Sequence, residues 1–191
     1  MLNSSRSGHV SRIYPVELRR AAPVLLLLWL LAAPVSAYPG ADNRAPDLGG
    51  CQDLQTEPGH KVAFRVYAEG VQIYEWDGTT WIFRRPEALL FADFGGNGVV
   101  GTHYAGPTWE SLSGSTVGGM VLERCTPDPD AIPWLLLAAV DPEGPGIFHR
   151  VTFIQRVNTV GGTAPVDPGT FVGELAYVPY TADYFFYRPH D

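Results

Sequence analysis

The sequence predicts an all-β protein: one domain, either a β-sandwich or a closed β-barrel, of about nine or ten short strands. Three observations predict it. Aromatic and β-branched residues gather in short runs separated by Gly, Pro and Asp, the alternation of strand and turn. No stretch of useful length sustains the period of an amphipathic helix. The chain has 191 residues, and without an N-terminal leader about 154 remain, a length that suits one domain with a real core.

Residues 1–37 read as a signal peptide. Arg19 and Arg20 precede an apolar run from Ala21 to Ala33, and Val35-Ser36-Ala37 forms a small-x-small site, so cleavage is expected after Ala37. The run falls short of the roughly 20 residues a membrane span needs, and Pro23 and Pro34 bracket it. The expected location is therefore secreted or extracytoplasmic, with no stable membrane anchor after the leader is removed. The arginine pair alone does not select the twin-arginine route, so the general secretory route ranks first.

Residues 38–58 are rich in Pro, Gly and Asp and read as an extended arm before the all-β domain of residues 59–191. Cys51 lies in this arm, and Cys125 is the only other cysteine. A two-cysteine exported chain favours a disulfide over two free thiols, and a loop of that span would be stabilised by about 4 kcal/mol on the chain-entropy account.

Within the domain, residues 62–67, 71–76, 81–83 and 88–91 read as strands, with Glu69-Gly70 and Asp77-Gly78 as turns between them. Further strands are expected over residues 117–123, 134–140, 147–157, 171–178 and 184–187. Between the two groups lies Gly98 to Gly119, GVVGTHYAGPTWESLSGSTVGG, which concentrates glycines and hydroxyls with one histidine and one tryptophan. It reads as a shaped turn region around Gly106-Pro107.

The tempting motifs fail their structural context. Gly96-Asn97-Gly98-Val99-Val100-Gly101 fits a dinucleotide fingerprint, but the residues after it, through Gly106-Pro107, cannot open a helix, so residues 95–98 read as a hairpin turn. Gly114-Ser115-Thr116-Val117-Gly118 places threonine where a nucleophile elbow needs serine, and no helix follows it. The histidines of the domain stand at no metal-ligand spacing, so no metal and no cofactor are expected.

Candidate ligand-binding residues are His103, Trp109, Glu110, Arg156 and Asp183. His103 titrates near neutrality and suits acid–base work or a polar ligand, with a hydrogen-bonded structural histidine as the plainer reading. Trp109, beside Thr108, Glu110 and Ser111, is the best candidate for an exposed or pocket-lining aromatic. Glu110 and Asp183 are the least implausible carboxylate pair for glycoside cleavage. Without the leader the chain keeps nine basic and nineteen acidic residues, a charge of about −10, which excludes nucleic acid as a partner. These features favour a non-catalytic ligand-binding or interaction module that takes a small molecule or glycan. The alternative is a secreted hydrolase acting on a glycan or small molecule, and an envelope or surface structural protein is the third reading.

Five strings, in order, carry a family resemblance: Gly70-Val71-Gln72-Ile73-Tyr74; His103 to Glu110 with Gly114-Ser115; Ala131 to Leu137; Ile154 to Thr159 with Gly161-Gly162; and Pro179-Tyr180 with Ala182-Asp183-Tyr184. The chain resembles domain of unknown function family 3455 from about Gly59 to Arg188. The resemblance implies an exported, mostly β domain and no established activity, substrate or catalytic residue. Some fungal relatives carry a malate dehydrogenase label, which the hairpin reading of residues 95–98 makes physically implausible here. Relatives often carry a cysteine after the Gln-Ile-Tyr-x string and another after the Gly-Gly-x-Ala-Pro string. Trp76 and residues 166–169 stand there instead, which leaves Cys51 and Cys125 as the only replacement pair.

Overall fold

A computed structural model describes residues 44–190, so the leader and its cleavage site lie outside the described residues. Alternating apolar residues make each strand two-sided, and eight of them close into one antiparallel barrel in sequence order. They are β1 (His60–Trp76), β2 (Trp81–Phe91), β3 (Val99–Tyr104), β4 (Thr108–Ser111), β5 (Thr116–Cys125), β6 (Trp134–Glu143), β7 (Phe153–Gly161) and β8 (Leu175–Pro189). Closure comes from the long β1–β8 ladder, which runs from His60 opposite Pro189 to Glu75 opposite Leu175. The structure thereby selects the barrel over the sandwich.

The strand count is eight because three pairs of expected strands fuse and two unexpected strands appear. Gly70 does not turn the chain. It sits inside β1, where an added Cβ would lie 2.1 Å from the Glu87 carbonyl oxygen, so its role is close backbone approach to β2. Pro86 stands within β2 without ending it, and Pro179 within β8. The Gly98 to Gly119 segment is strand as much as turn: β3 and β4 pair from Gly101 opposite Ser111 to Tyr104 opposite Thr108, around a bend at Gly106 with φ +119°. Gly101 hides this strand from a composition argument, yet a Cβ there would meet the Glu110 carbonyl oxygen at 2.2 Å.

The expected turns at the strand ends are present. The Asp77 carboxylate accepts hydrogen bonds from the Thr79 and Thr80 amides at 2.7 and 2.8 Å, and Gly78 takes φ +100°. Residues 92–98 connect β2 to β3, with the Ala92 amide bonded to the Gly98 carbonyl at 3.0 Å. The G-x-G-x-x-G string is thus a hairpin connection running into a strand.

Two apolar clusters result from the two-sided strands. One fills the lumen with Val66, Leu90, Val117, Ile154 and Phe186, plugged by Phe148 and Val151 from the β6–β7 connection. The other lies outside the barrel, where Phe185, Tyr187, Val157 and Leu136 are covered by Leu48, Cys51 and Leu54 of the arm. The arm is therefore a packed cover with a short 3-10 turn over Gln52–Leu54, and Leu54 is wholly buried. Burial of that leucine contributes about 2 kcal/mol. A disulfide joins Cys51 to Cys125 with their Cα atoms 5.7 Å apart, tying the cover to the end of β5.

Candidate functional site

An eight-stranded barrel is wide enough either to be filled by its own side chains or to hold one small ligand. This one divides its lumen between the two. Beyond the packed half lies a cavity of about 510 Å³ to which all eight strands contribute. Its apolar wall comes from Val121, Ile132, Pro133, Leu135 and Leu137.

Three aromatic groups border the cavity in a connected stack. The His103 ring lies nearly parallel to the Trp109 indole, 4.4 Å between centroids and 12° between planes, and both meet Tyr184 edge-on at 5.2 Å. Each of the three is at most 2 % exposed. Gly119 makes the indole's place, since a Cβ there would sit 2.9 Å from the Trp109 ring and from Leu137.

His103 Nδ1 lies 2.8 Å from the Thr108 carbonyl oxygen. A carbonyl only accepts, so Nδ1 carries the proton and Nε2 keeps its lone pair. Burial lowers the imidazole's pKa to about 3; the Thr108 bond opposes the shift and the Arg156 charge adds to it. His103 is therefore a neutral ring at physiological pH.

Arg156 projects from β7 and donates from Nε and Nη2 to the Pro133 carbonyl oxygen, at 3.0 and 2.8 Å. Its charge reaches the Tyr74, Tyr180 and Tyr184 phenols, whose pKa values burial raises and the guanidinium opposes. Arg84, Arg85 and Arg124 also line the cavity, and among the described residues no carboxylate does. Two buried donors, Gln72 Nε2 and Trp109 Nε1, have no partner within the described residues, and the Tyr180 and Tyr184 hydroxyls meet each other, with Arg156 beside Tyr184. The Tyr74 hydroxyl is already committed, donating to the Gly162 carbonyl at 2.7 Å.

Of the five candidate residues, His103, Trp109 and Arg156 line this cavity, and Glu110 and Asp183 do not. Trp109 is in β4 rather than at a turn, and is buried. Its neighbour Glu110 points to the other face of the strand and accepts from the Tyr104 hydroxyl at 2.9 Å. Asp183 likewise follows the outward face of β8 and accepts from Asn158 Nδ2 at 2.9 Å, with burial raising its pKa against the pull of that bond and of Arg65. Glu110 and Asp183 therefore do not form a pair across the cavity.

Sequence reasoning passed over Gln72, Tyr74, Arg124 and Tyr184. The signal for Tyr184 was two-residue alternation: Tyr180, Ala182, Tyr184 and Phe186 share one face of β8, so the lumen residue is the tyrosine next to the acid. Gln72, a polar residue among Val71, Ile73 and Tyr74, was the other readable sign.

Fold and cavity together define a small antiparallel barrel, packed at one end and holding a positively charged, donor-rich pocket at the other. The chain belongs to the family described as "Protein of unknown function (DUF3455)", whose profile matches residues 57–188, the whole barrel but not Cys51 of the arm. No protein of curated function and no solved structure matches the chain.

Proposed function

We propose that this protein is an exported, non-catalytic binding module that holds a small molecule in the barrel cavity. The carrying observation is the convergence of His103, Trp109, Arg156 and Tyr184 on one cavity of about 510 Å³, within the size range of ligand pockets and lined in their manner, apolar walls with a few polar groups. The disulfide is consistent with an oxidising, extracellular setting. A glycoside hydrolase would need two carboxylates across its cleft, and Glu110 and Asp183 both lie on outward faces.

A library of small molecules and short glycans, screened by thermal shift and by the Trp109 indole N–H resonance, tests the reading. Binders are expected to raise the melting temperature and move that resonance, and the Trp109→Phe variant should bind them more weakly without releasing any product. A screen in which no compound does either would discard the module and favour a structural surface protein.

A further inference from the structure

We infer that the cavity's ligand is an amphipathic organic anion: an apolar ring or chain of small-molecule size bearing one carboxylate or sulfonate. The inference rests on reading the cavity as a binding site and names the chemistry that site would take.

Charge is the first observation. The chain carries a formal charge of −7, yet among the described residues four arginines and no acid line the cavity. Random placement of an acidic protein's charges would give the opposite. Two of the four are partly neutralised at the mouth, Arg84 by Glu75 at 2.9 Å and Arg85 by Glu87 at 3.0 Å. Arg124, at the exposed rim, and Arg156, deeper in, have no ion pair among the described residues. Arg156 spends two N–H groups on Pro133 and retains others.

Hydrogen-bond polarity is the second and independent observation. Gln72 Nε2 and Trp109 Nε1 are buried donors without partners among the described residues, on residues that border the cavity. The Tyr184 hydroxyl meets Tyr180 and Arg156 and adds no free donor. The Gln72 and Trp109 N–H groups are closed off from the open space, so a guest would reach them only after a small side-chain shift; because a buried donor left unsatisfied is costly, such a shift favours a guest that brings acceptors. A carboxylate or sulfonate brings them with the charge that Arg156 and Arg124 complement. The body of the guest is set by the rest of the wall, which is aliphatic on β5 and β6 and aromatic at the His103–Trp109 stack. An inorganic anion would leave that surface uncovered, and a neutral sugar would leave the arginines unanswered.

The test uses a matched pair of fluorescent probes on the mature protein: 8-anilinonaphthalene-1-sulfonate, and N-phenyl-1-naphthylamine, which has the same ring skeleton without the sulfonate. The sulfonate probe is expected to bind at least tenfold more tightly, with energy transfer from tryptophan that falls in Trp109→Phe. Its affinity should fall about tenfold in Arg156→Gln and about threefold in Arg124→Gln, and should weaken with added salt, while the neutral probe is unchanged by all three. Should Arg156→Gln fail to fold, judged by circular dichroism, the rim variant and the salt series decide. Equal or tighter binding of the neutral probe overturns the anion and leaves the cavity standing. Sulfonate binding insensitive to both arginine variants also overturns it, by placing the probe elsewhere. If neither probe binds, the binding-site reading falls and this inference falls with it.

Discussion

Two buried glutamines divide the molecule into a part whose polar groups the fold satisfies and a part where it leaves one unsatisfied. Gln155, on the outer face of β7, is 1 % exposed, and Gln72, on the lumen face of β1, is 2 % exposed. Gln155 is fully engaged: its Nε2 donates to the Leu54 carbonyl and its Oε1 accepts from the Tyr187 hydroxyl, both at 2.5 Å. Gln72 Nε2 has no partner among the described residues. Equal burial with opposite hydrogen-bond accounts teaches that burial alone does not tell a polar group the fold satisfies from one it leaves unpartnered. The outer cluster under the arm is closed chemistry, and the lumen end is open chemistry.

The sharpest way to test the closed side is to release the arm. Replacing both Cys51 and Cys125 by serine removes a crosslink across 74 residues, and about 4 kcal/mol of unfolding free energy should go with it, read by urea denaturation. Limited proteolysis should then cut within residues 44–59 before the barrel. A loss below 1 kcal/mol would mean the arm is held by Leu48 and Leu54 alone. Next in size is Gln155→Leu, which removes the donor to Leu54 and the acceptor of Tyr187; it should cost about 2 kcal/mol in the same assay.

Much of this division is legible in sequence, and its gaps have physical causes. The long apolar strands announce themselves by alternation, and the two-cysteine count pointed to the bridge that the structure contains. Strands β3 and β4 do not announce themselves, because Gly101 and Gly106-Pro107 carry turn composition while the first serves a tight strand crossing. The cavity is half legible. His103, Trp109 and Arg156 stand out by residue type, but Glu110 and Asp183 stand out for the same reason and face away. Only strand register separates the two sets, and register in a closed barrel depends on the irregularities in β1, β2, β5 and β7, which no local pattern states.

Acid offers an intermediate test of the lumen. Folded His103 stays neutral until about pH 3, whereas in the unfolded chain it protonates near 6.5. Below pH 6.5 the unfolded state therefore takes up a proton that the folded state refuses, so stability falls as pH falls, by up to about 1.4 kcal/mol per unit. Between pH 6.5 and 5 the parent protein should lose about 2 kcal/mol more than His103→Gln does. Asp77 and Glu174, with lowered pKa values, also lose stability in acid, and Asp183, with a raised one, acts the other way. All three are common to both proteins and cancel in the difference. Parallel pH curves would show that His103 is solvated in solution and that the lumen end is wetter than the packing implies.

The smallest expected effect carries the most weight for the comparison. Gln72→Leu replaces a buried amide whose Nε2 bonds nothing among the described residues by an apolar group of similar size, beside Gly162 and Tyr180. Removing an unsatisfied polar group and filling its space should leave unfolding free energy within about 0.5 kcal/mol of the parent, or raise it. The same change removes one of the cavity's donors and should weaken sulfonate probe binding several-fold. Gln155→Leu should do the reverse, lowering stability with probe affinity intact in the folded fraction. If Gln72→Leu instead destabilises as much as Gln155→Leu, the lumen amide is structural, and the distinction between the closed and open ends of the barrel disappears.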